Sequence, residues 1–177
     1  SNDYNLVYKK AIEYYNKGDY QRAMNLLDGV RSVFVGQAKA QNIAYYRAFC
    51  SYNMKDYQIA SDLFKQFIQT YPESSFAEEC LYMMGFCDYK ASPKPRLDQQ
   101  VTEKAIREFQ LYLSRYPYSM RKDKVNTYMD EMRDKLSYKA YLSAKNYYLR
   151  EHYKAAVISL QNCLKDYPGS KYREEIM

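Results

Sequence analysis

Side-chain catalysis needs a nucleophile, a base or a set of metal ligands brought within hydrogen-bond reach. The residues able to supply these are few here. The cysteines are Cys50, Cys80, Cys87 and Cys163, and the single histidine is His152. No Cys-x-x-Cys occurs, so a zinc site lacks both its usual spacing and its ligands. Cys80 and Cys87 lie two helical turns apart, on one helix face, and read as small core residues. His152 falls in a surface turn, which leaves an acyl-transfer site without its base. The five glycines are isolated and form no phosphate-cradling loop. Glu78-Glu79, Asp130-Glu131 and Glu174-Glu175 are neighbours in sequence and point apart on a helix, so they read as solvated faces. The expectation is a non-enzyme with no catalytic residues, metal or cofactor.

The chemistry that the sequence does offer is adhesive. Tyr occurs 23 times, against five Gly and five Pro. Pairs of tyrosines seven residues apart flank a small residue in Tyr8/Ala11/Tyr15, Tyr45/Ala48/Tyr52, Tyr82/Gly85/Tyr89 and Tyr141/Ala144/Tyr148. On a helix that offset makes a stripe of rings. A phenol offers a large contact area and a polar tip at low entropic cost, which suits capture of a peptide. The same stripe also serves to pack neighbouring helices, with hydroxyls reaching water. Both readings stand at this point. The net charge is +6, from 27 Lys+Arg and 21 Asp+Glu, and it is scattered, which argues against a nucleic-acid tail. Aromatic helices with lysines can stack on RNA bases, but the regular polar code of base-reading repeats is missing. No apolar run approaches the ~18 residues of a membrane span, and no signal segment opens the chain.

These stripes need elements to carry them. A low Gly and Pro content leaves few turns, so long helices are the default. Three segments end alike: FKQFIQTYPESS (64–75), FQLYLSRYPYSM (109–120) and LQNCLKDYPGSK (160–171). Each has an Ala four residues before its first bulky residue (Ala60, Ala105, Ala156) and a Tyr-Pro eleven and twelve residues after it. Each then closes on a serine: Ser74, Ser119 or Ser170. An earlier copy, DYQRAMNLLDGVRSVF (19–34), keeps Ala23 and Leu27 but has Val33-Phe34-Val35-Gly36 in place of Tyr-Pro. Proline cannot continue a helix and pushes the residue before it out of the α region, so each helix should stop at the Tyr. The serine should cap the next helix, and Ser75 with Glu78 offers a second capping signal.

The turns NKGDY (16–20), NMKDY (53–57) and LREHY (149–153) join each such helix to one before it. The period is 37 residues from Tyr8 to Tyr45 and again from Tyr45 to Tyr82. It lengthens twice: by 8 residues at ASPKPRLDQQ (91–100), read as a surface loop inside the third pair, and by 14 between Ser119 and Tyr148. That second stretch reads as one helix of about thirty residues, roughly 45 Å long. The expected architecture is all-α. It is one array over residues 1–177, with helix pairs at about 4–35, 37–72, 75–117 and 120–168, a long helix between pairs three and four, and a fifth pair starting near Ser170.

This pattern resembles the tetratricopeptide repeat over roughly residues 4–170. One such pair cannot bury its apolar stripe alone, so neighbours stack into a solenoid with a concave inner surface. In the repeat the first helices line that surface. The tyrosine stripe, with Tyr8, Tyr15, Tyr45, Tyr52, Phe49, Tyr82 and Tyr89, is therefore the candidate groove for a substrate peptide.

The phrase FKQFIQTYPESSFAEECLYMMGFCDY (64–89) looks like bacterial periplasmic repeat proteins. The order of features is similar to the BamD family, which belongs to the outer-membrane β-barrel assembly machinery. The matching parts are YNLVYKKAIEYYNKGDYQRAMNLLDGV (4–30), the loop within the third pair, AIREFQLYLSRYPYS (105–119), and the long helix leading into AKNYYLREHYKAAVISLQNCLKDYPGS (144–170). The resemblance implies a lipid-anchored scaffold on the periplasmic face of the outer membrane, with a lipidated cysteine upstream of Ser1. It further implies partners in the insertase BamA and in unfolded barrel proteins. Tyr8, Tyr15, Tyr45 and Tyr52 would read the substrate signal, and Tyr148, Arg150, Lys154 and Ser159 would face BamA. The opening Ser1-Asn2 and an end just past a turn read as a fragment trimmed at both ends.

Two alternatives share the fold. A cell-division repeat protein like CpoB has the same Tyr-Pro-x-Ser linkers, although a loop inside the third pair is foreign to it. A cytosolic chaperone-cofactor repeat would clamp a C-terminal carboxylate with Lys and Arg, where this chain has mainly Asn16, Phe49, Asn53 and Phe86.

Overall fold

The computed structural model describes the backbone of residues 2–176 and the side chains of residues 3–175. Among them every regular element is a helix: α1 (Asn2–Asn16), α2 (Tyr20–Val30), α3 (Ala38–Asn53), α4 (Tyr57–Thr70), α5 (Ala77–Ala91), α6 (Gln100–Arg115), α7 (Lys122–Leu149), α8 (Tyr153–Asp166) and the short α9 (Arg173–Ile176). Each packs on the helices next to it in sequence, as in a tetratricopeptide-like solenoid.

Small residues set the helix crossings. Ala11, Ala48 and Ala144 are fully buried on the first helices. Ala23/Leu27, Ala60/Phe64 and Ala105/Phe109 are fully buried on the second helices. At Gly85 the fit leaves no room for a side chain: a Cβ there would stand 2.7 Å from Cδ1 of Phe109. The rings of the second and third pairs share one core with Val125, Met129 and Met132 of α7. A smaller core joins Ala11, Leu27, Phe34 and Ile43 at the first pair.

The turns inside pairs repeat a single device. Gly18, Lys55 and Glu151 occupy the same place in their turns, with φ of 82°, 65° and 62°. The next residue's N–H reaches back to the last helical turn, from Asp19 to Tyr14, Asp56 to Ser51 and His152 to Tyr147. This satisfies carbonyls that the helix end would orphan. Between pairs, α4, α6 and α8 stop at Thr70, Arg115 and Asp166, one residue before the Tyr-Pro, as the proline requires. The serine oxygens of Ser74, Ser119 and Ser170 each accept a 3.1 Å bond from the N–H two residues on. Ser75 is not the cap, since Phe76 takes the N-cap position without a side-chain bond. In the first pair, Phe34 turns into the core and Gly36 (φ 77°) reverses the chain, which does the work of the missing Tyr-Pro.

The two lengthened stretches meet in space. The ammonium of Lys135 on α7 donates to Ser92 Oγ at 2.7 Å, and that of Lys139 to the Leu97 carbonyl at 2.7 Å. The Gln99 side chain ties the same loop from within through the Lys94 and Leu97 carbonyls. The inserted loop and the long helix therefore brace each other.

Candidate functional site

From Tyr15 onward the tyrosine stripe is a connected ladder of rings, while the Tyr8 ring meets Phe34 at 6.4 Å instead. Tyr15 of α1 meets Tyr46 of α3 at 5.0 Å, and Tyr46 meets Tyr45 at 5.5 Å. Tyr45 touches Phe49 at 4.6 Å, and Phe49 meets Tyr52 at 6.3 Å. Tyr52 then reaches Phe86 of α5 at 6.1 Å, and Tyr89 reaches Tyr128 of α7 at 4.4 Å. First helices are thus joined to one another by aromatic edges and faces, each worth roughly 0.5–1.5 kcal/mol beyond area burial. Tyr8, Tyr15, Tyr45, Phe49, Tyr52 and Tyr89 are all half-buried, so each shows part of a ring to solvent.

Tyr82 departs from the stripe. It is only 7% exposed, lies among Phe86, Phe109 and Tyr112, and has the Arg121 guanidinium 4.9 Å above its ring. It is a core ring behind the stripe, because Gly85 draws α5 onto Phe109 at this point. The hydroxyls also differ from the expectation that they reach water. Tyr45 donates to Glu79 at 3.1 Å, and Tyr89 donates to Glu131. Burial pushes the Tyr15 phenol up to about 12, and burial with Glu79 raises Tyr45 further. These phenols stay neutral donors and cannot act as bases near neutral pH.

Beside Tyr8 a cleft of about 590 Å³ opens between α1 and α3, lined by Leu6, Ile12, Asn16, Lys39 and Tyr46. The Lys39 ammonium lies 5.2 Å over the Tyr8 ring. Tyr46 and Tyr128 complete the ladder yet lie off the seven-residue pairs, both at the repeat position next to the first tyrosine of a pair, where α5 carries Met83.

The second group lies at the far end. Tyr148 is 59% exposed and meets Tyr153 edge-on at 5.6 Å. Arg150 caps α7 and is exposed, as is Lys154, while Ser159 is half-buried. Around them stand exposed Leu149, Val157 and Ile158, which sequence reasoning missed. The signal was present in the repeat register. Leu149 falls where sister repeats carry Asn16, Asn53 and Lys90, and Ile158 where they carry Asn25, Asp62 and Arg107. Outward polar positions have become apolar, which is how a surface gains a docking face.

Among the described residues, no cluster of three His, Cys, Asp or Glu could hold a metal ion. No described helix is long and apolar enough to cross a membrane. All four cysteines are buried and unpaired, and burial raises the Cys50, Cys80 and Cys87 thiols to about 12, so they are inert core groups.

Compared with known families, residues 1–177 match the model of YfiO, described as an outer membrane lipoprotein. No curated protein matches the chain.

Proposed function

The chain belongs to the YfiO family of outer membrane lipoproteins, and from that premise we propose that it is a non-catalytic scaffold of the β-barrel assembly machinery. It works at the periplasmic face of the outer membrane, bound to a BamA-like insertase and to unfolded barrel proteins. The observation that carries the reading is a family likeness over residues 1–177 of a helical array that keeps a ladder of half-exposed rings on its first helices.

Each surface has a task suited to its chemistry. Tyr8, Tyr15, Tyr45, Phe49, Tyr52 and Tyr89 receive an extended substrate segment, whose apolar side chains lie against ring faces. Tyr82 supports them from behind. The cleft at Tyr8 and Lys39 takes the end of that segment, because the Lys39 ammonium, which also donates to Asn5, offers its remaining N–H groups to a terminal carboxylate. The apolar end of α7 and α8 docks the insertase, with Tyr148, Leu149 and Ile158 as its centre and Arg150 and Lys154 on its rim. Ser159 lies at the inner border of that face.

Photo-crosslinkers placed at Tyr45 and Tyr52 test the groove. A peptide copying a barrel protein's last strand should be captured there and not by the same crosslinker at Gln21, exposed on α2. Capture only at Gln21 would overturn the assignment.

A further inference from the structure

We propose that the groove between α4 and α6 is a further docking surface, built for an acidic segment of a partner protein that places an apolar side chain between its carboxylates. The groove holds about 390 Å³ and uses none of the tyrosine stripe. Its floor is Ile68 of α4 and Leu81 and Met84 of α5, with Leu111 of α6 on the wall. Leu81 and Met84 are buried, so the floor is recessed.

The rim is cationic on both sides. Lys65 comes from α4, and Lys104, Arg107 and Arg115 come from α6. Lys104 is committed to Asp88 at 3.0 Å and Glu108 at 3.6 Å. Lys65, Arg107 and Arg115 have no ion pair among the described residues. Among the described residues lining the groove the one carboxyl is Glu108, which is buried and whose Oε2 has no hydrogen-bond partner among them. Burial and then Asp88 push its carboxyl up to about 9, so it does not neutralise the rim at neutral pH. On α6 the residues 104, 107, 111 and 115 follow one helical stripe about 16 Å long. An acidic segment of three helical turns, or an extended one of five residues, matches that length.

The shape favours a protein segment over a lipid surface. A membrane-binding patch presents protruding apolar side chains under its cations. Here Leu81 and Met84 lie buried below the cations, with Ile68 half-buried beside them and Leu111 exposed on one wall, which leaves a recess that receives a side chain. Charge complementarity of this kind sets encounter and register.

The test uses the full chain and a fluorescein-labelled peptide of glutamates and leucines at helical spacing. Its glutamine counterpart and mixed phosphatidylethanolamine–phosphatidylglycerol vesicles serve as competitors. The glutamate peptide should bind, lose affinity with added salt, and weaken about tenfold on Lys65→Glu, Arg107→Glu and Arg115→Glu together. Reversing Lys10, Lys122 and Lys124 changes net charge equally and should leave binding within about twofold. Circular dichroism should be unchanged, since all six positions are exposed. Equal binding of the glutamine peptide, equal weakening by the two charge reversals, or binding to vesicles alone would overturn the proposal.

Discussion

Gly85 marks a tight crossing, because an added methyl group would press into the ring of Phe109, itself fully buried. Overpacking of that kind costs about 1–3 kcal/mol. Gly85→Ala should lower the urea midpoint accordingly, and Phe109→Leu in the same chain should restore part of the loss. The Asp88–Lys104–Glu108 cluster gives a second residue-scale outcome. Glu108 is raised from 4.5 to about 9 by burial and by Asp88, so the folded chain holds this proton more tightly than the unfolded chain. Its contribution is whole below 4.5 and is lost as pH climbs through about 9. Relative to Glu108→Gln, the native chain should lose stability with rising pH in this window, by up to ~1.4 kcal/mol per unit. Parallel thermal melts of the two chains across pH read this out. A constant difference would show that Glu108 titrates normally.

At the scale of elements, α7 joins two registers. From Ser119 it runs like α5 from Ser74, so that Val125, Met129 and Met132 take the buried places of Cys80, Met84 and Cys87. The added 14 residues are close to four helical turns of ~14.4 residues. Ser137 and Ala144, seven residues apart, share a second buried face, turned roughly 100° from the first, and α8 packs on this half of α7. Asp134 is exposed at the junction. Asp134→Pro should break the helix there, at about 3 kcal/mol or more. Hydrogen exchange should then lose protection in the second half of α7, in α8 and in the 92–99 loop that Lys135 and Lys139 brace, while residues 3–91 and 100–117 keep theirs, and Asp134→Ala should leave all of them intact. Helix ends and crossings were legible because Tyr-Pro-x-Ser and Ala-x-x-x-Phe act locally, through backbone sterics and ring volume. The fate of Tyr82 and of the Tyr45 and Tyr89 hydroxyls was not, because Arg121, Glu79 and Glu131 reach them from other helices. The bracing of the 92–99 loop by Lys135 and Lys139 is non-local in the same way.

For the molecule as a whole, stacked pairs divide the surface into separate faces. The ring ladder runs across the first helices, the α4–α6 groove lies on the second, and the bare apolar end lies on α7 and α8. On the proposed reading, the substrate segment and the insertase use different residues of these faces and do not compete, which is the property a scaffold needs. The most direct measurement is a binding titration between the chain and the soluble domains of a BamA-like insertase, with Tyr148→Asp and Ile158→Asp as a paired variant. Saturable binding is expected, falling at least tenfold in the variant while its helical content and capture of the substrate peptide persist. Absence of binding by the folded native chain, or equal binding by the variant, would contradict it.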